Sequence, residues 1–368
     1  MKRLLTPLRL AVAGVVLLAV TFVLLLTTTS NSFLLVPDRA HPLAALVEVP
    51  GGHDQADGGA IYYVDVLERK ASLLERIFPG LREGSTLVKH KDIVPPGITD
   101  KERIEADRRA MELSQQIASA VALRELGYKV KILLDGVRVA RVSGNSSAIG
   151  KLESGDVILA VDGKRVYTTT QLRDAVGSHA VGDVLHVSVR RNGSRREFDI
   201  RSAKDQETGR PILGILAETS PALAIRLPLK IKFNLRNVGG PSAGLAFALQ
   251  ILEESGRNVD HGYRVAATGV IEPDGSVGEI GGVKQKTIGA RRAHVDVFLV
   301  PAGDNYRDAR KYAHGLRLIP VKTFQQALHA LATLPPKRHE NADFGTSESA
   351  GKCTVFSAGN PCRRKGGS

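Results

Sequence analysis

Tryptophan is absent from the 368 residues, aromatic side chains make up only 5%, and there are two cysteines. With so few large rings, the interior has to be built from Val, Leu, Ile and Ala. Both cysteines, Cys353 and Cys362, fall in the C-terminal tail, so the body of the chain carries no thiol. That suits work outside the cytoplasm. The two cysteines either pair with each other in the tail or stand there as idle thiols. No HExxH and no zinc-ligand spacing occurs, and the ten histidines are scattered. There is no GxxxxGK[ST] phosphate loop either. The expectation is a chain without metal or other cofactor. The net charge of +13 is concentrated partly near the N-terminus (Lys2, Arg3, Arg9) and partly in the tail (Lys337, Arg338, Lys352, Arg363, Arg364, Lys365). Elsewhere bases are interleaved with acids. A basic stripe with stacking aromatics is missing, and no nucleic-acid partner is expected.

What the chain does have begins with a long uncharged run. From Leu10 to Val36 no residue is charged, and Leu10–Leu26 is almost wholly apolar. That length spans a bilayer when the flanking threonines are included. The bases before it place the N-terminus in the cytoplasm and the bulk of the chain outside. A cleaved signal peptide is the alternative. No small-x-small site follows the apolar core, which favours an uncleaved, single-pass anchor in the cell membrane.

Composition and periodicity divide the rest. Residues 1–36 read as the cytoplasmic N-terminus and anchor, and 37–126 as an extracytoplasmic segment of strands and one long helix. Thr99-Asp100-Lys101-Glu102 is a capping-box pattern that opens this helix, which runs to about Glu125. Residues 127–203 form a separate unit, 204–334 the last domain, and 335–368 a polar, basic tail read as disordered. The last domain's second half alternates strand and helix, beginning with Val295–Pro301. The fold class expected is α+β: a transmembrane helix, a β-rich middle domain and an α/β domain.

Within 127–203, Val137–Val142 alternates like a strand, and Gly155-Asp156-Val157-Ile158-Leu159-Ala160-Val161-Asp162-Gly163 reads as turn, strand and tight turn. Thr170–Val176 reads as a helix. Val184–Arg191 then runs into Asn192-Gly193, a hairpin signal. This order resembles a PDZ domain of the bacterial protease-associated type. The resemblance implies binding of an extended peptide, or of a C-terminus, along a sheet edge. By that likeness the binding loop and strand fall at Gly136, Val137 and Val139; the alternative is that these side chains only build the barrel.

The chemistry is concentrated in the last domain. Gly239-Gly240-Pro241-Ser242-Ala243-Gly244 lies between an alternating run (Ile231–Leu235) and an apolar helical pattern (Leu245–Leu252). A serine at a strand-to-helix junction has free backbone N–H groups beside it, where an oxyanion can be held. Such a serine can also be a plain helix cap. Further on come Thr268-Gly269 and then Gly281-Gly282-Val283-Lys284-Gln285-Lys286. Serine needs a base, and lysine is one only when neutral. An unperturbed lysine is about 0.04% neutral at pH 7, whereas a fall of about three units makes roughly a quarter neutral.

Three motifs in this order, behind a PDZ-like unit and an N-terminal anchor, resemble the membrane-anchored, PDZ-containing Lon-like serine proteases over about residues 37–334. The resemblance implies Ser242 as nucleophile and Lys286 as its base. It also implies that the Thr268 hydroxyl holds the lysine amine. Lys284 is the competing lysine, expected to point to solvent. Lys286 would lie on the first turn of a helix starting near Val283, where the helix dipole helps depress its pKa. Since the phosphate loop of full-length Lon enzymes is missing, the implied activity is an ATP-independent serine endopeptidase acting on exposed or unfolded polypeptides. The likeness also implies a homo-oligomer. The other reading is a PDZ-based scaffold with little or no turnover.

Overall fold

The computed structural model describes residues 7–52, 58–94, 99–133, 135–144, 146–205, 209–219, 224–235, 238–335 and 337. Cys353 and Cys362 lie outside the described residues. Helix Pro7–Thr27 has a mean hydropathy of 2.8 over Leu10–Thr27 and buries none of that stretch against the protein. It is long and apolar enough to cross a membrane, a property shared by signal sequences.

The uncharged run does not stay helical to residue 36. Thr27-Thr28-Thr29 and Ser30-Asn31-Ser32 disfavour helix through β-branching and competing side-chain hydrogen bonds. Thr29–Pro37 instead becomes the central strand of a three-stranded antiparallel sheet, between Val66–Ser72 and Thr86–Lys89. Its Phe33 and Leu34 are buried.

The main sheet has five strands in the order His41–Pro42, Ala60–Tyr63, Arg264–Ala267, Val297–Pro301 and Arg317–Val321, of which the last four run parallel. A parallel sheet is covered on both faces, so its strands read as continuous apolar runs, and Val297–Pro301 is buried throughout. Alternate residues feed two cores. Val265, Ala267, Val297 and Leu299 meet helix Gly244–Glu254, the long helix Asp100–Glu125 and helix Phe324–Ala332. Ala266, Phe298 and Val300 face helices Val283–Arg292 and Asp304–Arg310. The long helix has the capping box read from sequence, with Thr99 accepting from the Glu102 N–H.

The middle unit is a sheet in the order Ser194–Arg201, Val184–Arg191, Val157–Val161, Val137–Val142, Ile215–Thr219, with helix Thr169–Gly177 packed on it. Asn192 and Gly193 both take positive φ, 51° and 81°, as the tight hairpin requires. The last strand crosses the boundary read at residue 203. Ile215–Thr219, assigned by sequence to the following domain, pairs antiparallel with Val137–Val142.

Candidate active site

Ser242 stands in the turn that enters helix Gly244–Glu254. Gly240 supplies a positive φ of 81° just before it. The turn is pinned from three directions. The Gly240 N–H donates to the Asp107 carbonyl (2.9 Å), and the Ser114 hydroxyl donates to the Pro241 carbonyl (2.9 Å). The Ser242 carbonyl accepts from the Gly269 N–H (2.8 Å) and from the Thr268 hydroxyl (3.0 Å). A Cβ on Gly244 would come within 2.7 Å of both Ile271 Cγ2 and Ser114 Oγ, so only glycine lets the helix start so close to its neighbours. Among the described residues, none accepts a hydrogen bond from the backbone N–H of Ser242 or Ala243. Two free amides therefore flank the hydroxyl.

Lys286 is on the first turn and a half of helix Val283–Arg292 and is 4% exposed. Its Nζ donates to Ser242 Oγ at 2.6 Å. Burial pulls its pKa down to about 7, with the Asp65 carboxylate pulling the other way. Asp65 is itself held above the usual carboxylate range, first by burial and then by Asp38. It lies between strands Ala60–Tyr63 and Val66–Ser72, and sequence gives no sign of its role, because its nearness to Lys286 is made by the fold. Asp38, His41 and Asp65 bring their ligand-type atoms within 4.8 Å of one another. His41 Nε2 lies 3.3 Å from Asp38 Oδ2 and 4.0 Å from Asp65 Oδ1, so the imidazole sits between the two carboxylates. A cavity of about 430 Å³ reaches the serine and lysine past Tyr63, Asp65 and Met111.

Three expectations need correction. The Thr268 hydroxyl does not hold the lysine amine; its bond goes to the Ser242 carbonyl. Lys284 does not point to solvent: its Nζ donates to the Ser85 carbonyl (3.1 Å) and lies 5.7 Å from the centre of the Tyr312 ring. Gly136, Val137 and Val139 do not form an accessible edge. Val137 and Val139 are fully buried, and their strand is covered by Val157–Val161 on one side and Ile215–Thr219 on the other. The outer strand on that side of the sheet is Ile215–Thr219. Sequence offers a faint signal for it: Leu213-Gly214-Ile215, with Gly214 at a φ of 67°, is a turn feeding a short β-rich run.

Residues 124–201 match the PDZ domain family, and residues 237–333 match the Lon protease (S16) C-terminal proteolytic domain. The chain carries a Lon-type serine-peptidase domain joined to a PDZ domain. Ser242, Thr268 and Lys286 all fall within the Lon-type match, whereas the outer strand Ile215–Thr219 lies outside the PDZ match. The Lon-type domain is similar to Lon protease 2 of Bacillus subtilis (strain 168), 34% identical over 99 residues, covering 27% of this chain and 18% of that protein. The PDZ domain is similar to the serine protease Do-like HtrA of Lactobacillus helveticus, 38% identical over 81 residues and 20% of each chain. Among solved structures, the PDZ domain of the SdrC-like protein from Listeria monocytogenes is 28% identical, covering 24% of this chain and 92% of that one with a TM-score of 0.23. The chain spans a fifth or less of the length of these curated relatives.

Proposed function

We propose that this chain is a membrane-anchored, ATP-independent serine endopeptidase that cleaves exposed or unfolded polypeptides outside the cytoplasm through Ser242 and Lys286. The observation that carries this reading is the 2.6 Å bond between Lys286 Nζ and Ser242 Oγ, made by a buried lysine whose pKa is lowered to about 7. At that value a large share of the amine is neutral near pH 7 and can take the serine proton. Ser242 Oγ attacks the peptide carbonyl carbon as its proton passes to Lys286. The oxyanion is met by the Ser242 and Ala243 amides. Lys286 then gives the proton to the departing amine, leaving an acyl ester on Ser242. Water loses a proton to Lys286 and attacks the ester; the bond to Ser242 Oγ breaks, Lys286 returns the proton to that oxygen, and the second product leaves as a carboxylic acid. None of these steps consumes a nucleotide.

Membrane anchoring is supported by the apolar helix and the bases before it. For the PDZ domain, peptide binding belongs at the outer strand Ile215–Thr219, which pairs with only one strand among the described residues and so offers its other side for strand addition. The test uses the full chain in detergent micelles, with its Ser242→Ala and Lys286→Ala variants, on an unfolded protein without ATP. Cleavage by the parent that both variants lose supports the dyad. Cleavage that survives in Ser242→Ala sinks it. In parallel, peptide binding should perturb the amide signals of residues 215–219 and leave those of 137–142 little changed; the reverse pattern rejects the outer-strand assignment.

A further inference from the structure

A second cavity, of about 450 Å³, opens beside the serine. Its size falls within the roughly 300–1,000 Å³ of ligand cavities. Ala110, Leu113 and Ile117 of the long helix form one wall, Leu216 of the outer PDZ strand another, and Ile271 and Glu272 of the Lon-type domain a third. Thr169, Pro241 and Val270 line both this cavity and the one that holds Ser242 and Lys286. Pro241 is the residue directly before the serine, so the two spaces are neighbours along the chain as well as in the fold.

Glu272 stands out in this mostly apolar lining. It is 3% exposed, and its Oε1 has no hydrogen-bond partner. A buried polar atom left unpaired forfeits its hydration with nothing in return, and native proteins seldom carry one without a purpose. Burial pushes the Glu272 pKa up to about 7, against hydrogen bonds from Thr170 and Thr168; Asp274 adds to the rise and Arg173 opposes it. The residue thus keeps an unused acceptor at the junction of the PDZ helix and the Lon-type domain.

We propose that this cavity is a polypeptide subsite, continuous with the Ser242 cavity, that holds an extended stretch of substrate between the outer PDZ strand and the serine. An apolar side chain of that stretch seats against Leu113, Ile117 and Leu216, and one of its backbone N–H groups donates to Glu272 Oε1. The subsite rests on the peptidase reading for its purpose, but its occupancy is measurable without catalysis. Because its walls come from both domains, one substrate chain touches the PDZ domain and the Lon-type domain together.

The experiment measures binding of fluorescein-labelled β-casein to the full chain carrying Ser242→Ala, at pH 8 in detergent micelles, by anisotropy. Ala110→Phe fills the cavity from a half-buried helix position; Glu272→Gln keeps the shape and removes the charge. The expected result is about a tenfold or greater loss of affinity for Ala110→Phe and about threefold or more for Glu272→Gln. With Ser242 restored, Ala110→Phe should raise the KM for casein while kcat and the rate of serine labelling by a small fluorophosphonate stay within about twofold. Unchanged casein binding in a folded Ala110→Phe chain overturns the subsite, whether or not the parent cleaves. If that variant does not fold, unchanged binding by Glu272→Gln overturns it. A parent that binds casein through this cavity yet cleaves nothing would uphold the subsite and reject the peptidase reading instead.

Discussion

Lys286 Nζ and Ser242 Oγ lie 2.6 Å apart, although 44 residues separate them in the chain and each sits at the start of a different helix. The serine side is fixed by hydrogen bonds to its carbonyl from the Thr268 hydroxyl and the Gly269 N–H, the lysine side by burial of its helix against the main sheet. Burial lowers the Lys286 pKa to about 7, and the contact sets that amine, poised for proton transfer, against the serine hydroxyl.

The first prediction concerns pH. A lysine lowered to about 7 is protonated and inert below that value and becomes a base above it. The specificity constant kcat/KM, which reports the free enzyme's titrating groups, should therefore rise through about pH 7 and level off above pH 8. A profile flat from pH 5 to 9 would rule out Lys286 as the titrating base. Lys286→Arg should not rescue activity, because guanidinium keeps its proton throughout this range.

The same residue should cost stability. Its folded pKa, about 7, lies below the unfolded value of 10.5. Between those values the unfolded chain binds the proton and the folded chain does not, so stability rises as pH climbs through that window. The penalty is fullest at and below pH 7 and fades toward pH 10. Lys286→Met, similar in size and uncharged, is expected to stabilise the domain by a few kcal/mol near pH 7, with the gap closing as pH rises. Thermal unfolding at pH 7 and pH 10 measures both. A variant less stable than its parent at pH 7 would contradict the buried, uncharged lysine.

Thr268 offers a way to separate two roles. Its hydroxyl bonds the Ser242 carbonyl, so Thr268→Val, which keeps the shape, should let the serine turn drift while leaving the lysine alone. About tenfold loss in kcat is expected, or ~1.4 kcal/mol, with Thr268→Ser retaining most activity. The midpoint of the pH profile should not move. A shifted midpoint would instead assign the hydroxyl to the lysine amine, the role that the family resemblance implies.

Much of this site is legible in the sequence because it is local. Gly239–Gly244 and Gly281–Lys286 each declare a tight turn entering a helix, and the capping box at Thr99 declares the long helix; all three depend on neighbours within a few residues. The parallel strand Val297–Pro301 is equally plain, being apolar at every position. What stays hidden is pairing between distant segments. Gly136, Val137 and Val139 read like a peptide-binding edge until Ile215–Thr219 arrives from some 80 residues downstream to cover their strand. Asp65 carries no signal until the fold brings it near Lys286, and the bond of Thr268 depends on which carbonyl the turn presents. Periodicity gives a strand's faces, not its neighbours.

The last prediction follows from the strand Thr29–Pro37. A sequence reading that ends the anchor at residue 36 invites a soluble chain beginning at Asp38, yet that cut removes the central strand of the three-stranded sheet, with buried Phe33 and Leu34. The consequence reaches the site. Arg69 of the neighbouring strand and Arg82 both pair with Glu75, whose pKa they and the Ser72 amide hold down to about 2. Ser85 and Thr86 anchor Lys284 and Gln285 on the lysine helix. Losing the middle strand leaves both outer strands unpaired and loosens the wall against which that helix rests. A chain beginning at Thr28 should therefore fold and keep the full chain's activity, and one beginning at Asp38 should unfold at least 10 °C lower or fail to fold. Burial of two large side chains is worth roughly 3–6 kcal/mol, enough to decide the matter for a domain of ordinary stability. Equal melting temperatures for the two truncations would show that Thr29–Pro37 belongs to the anchor after all.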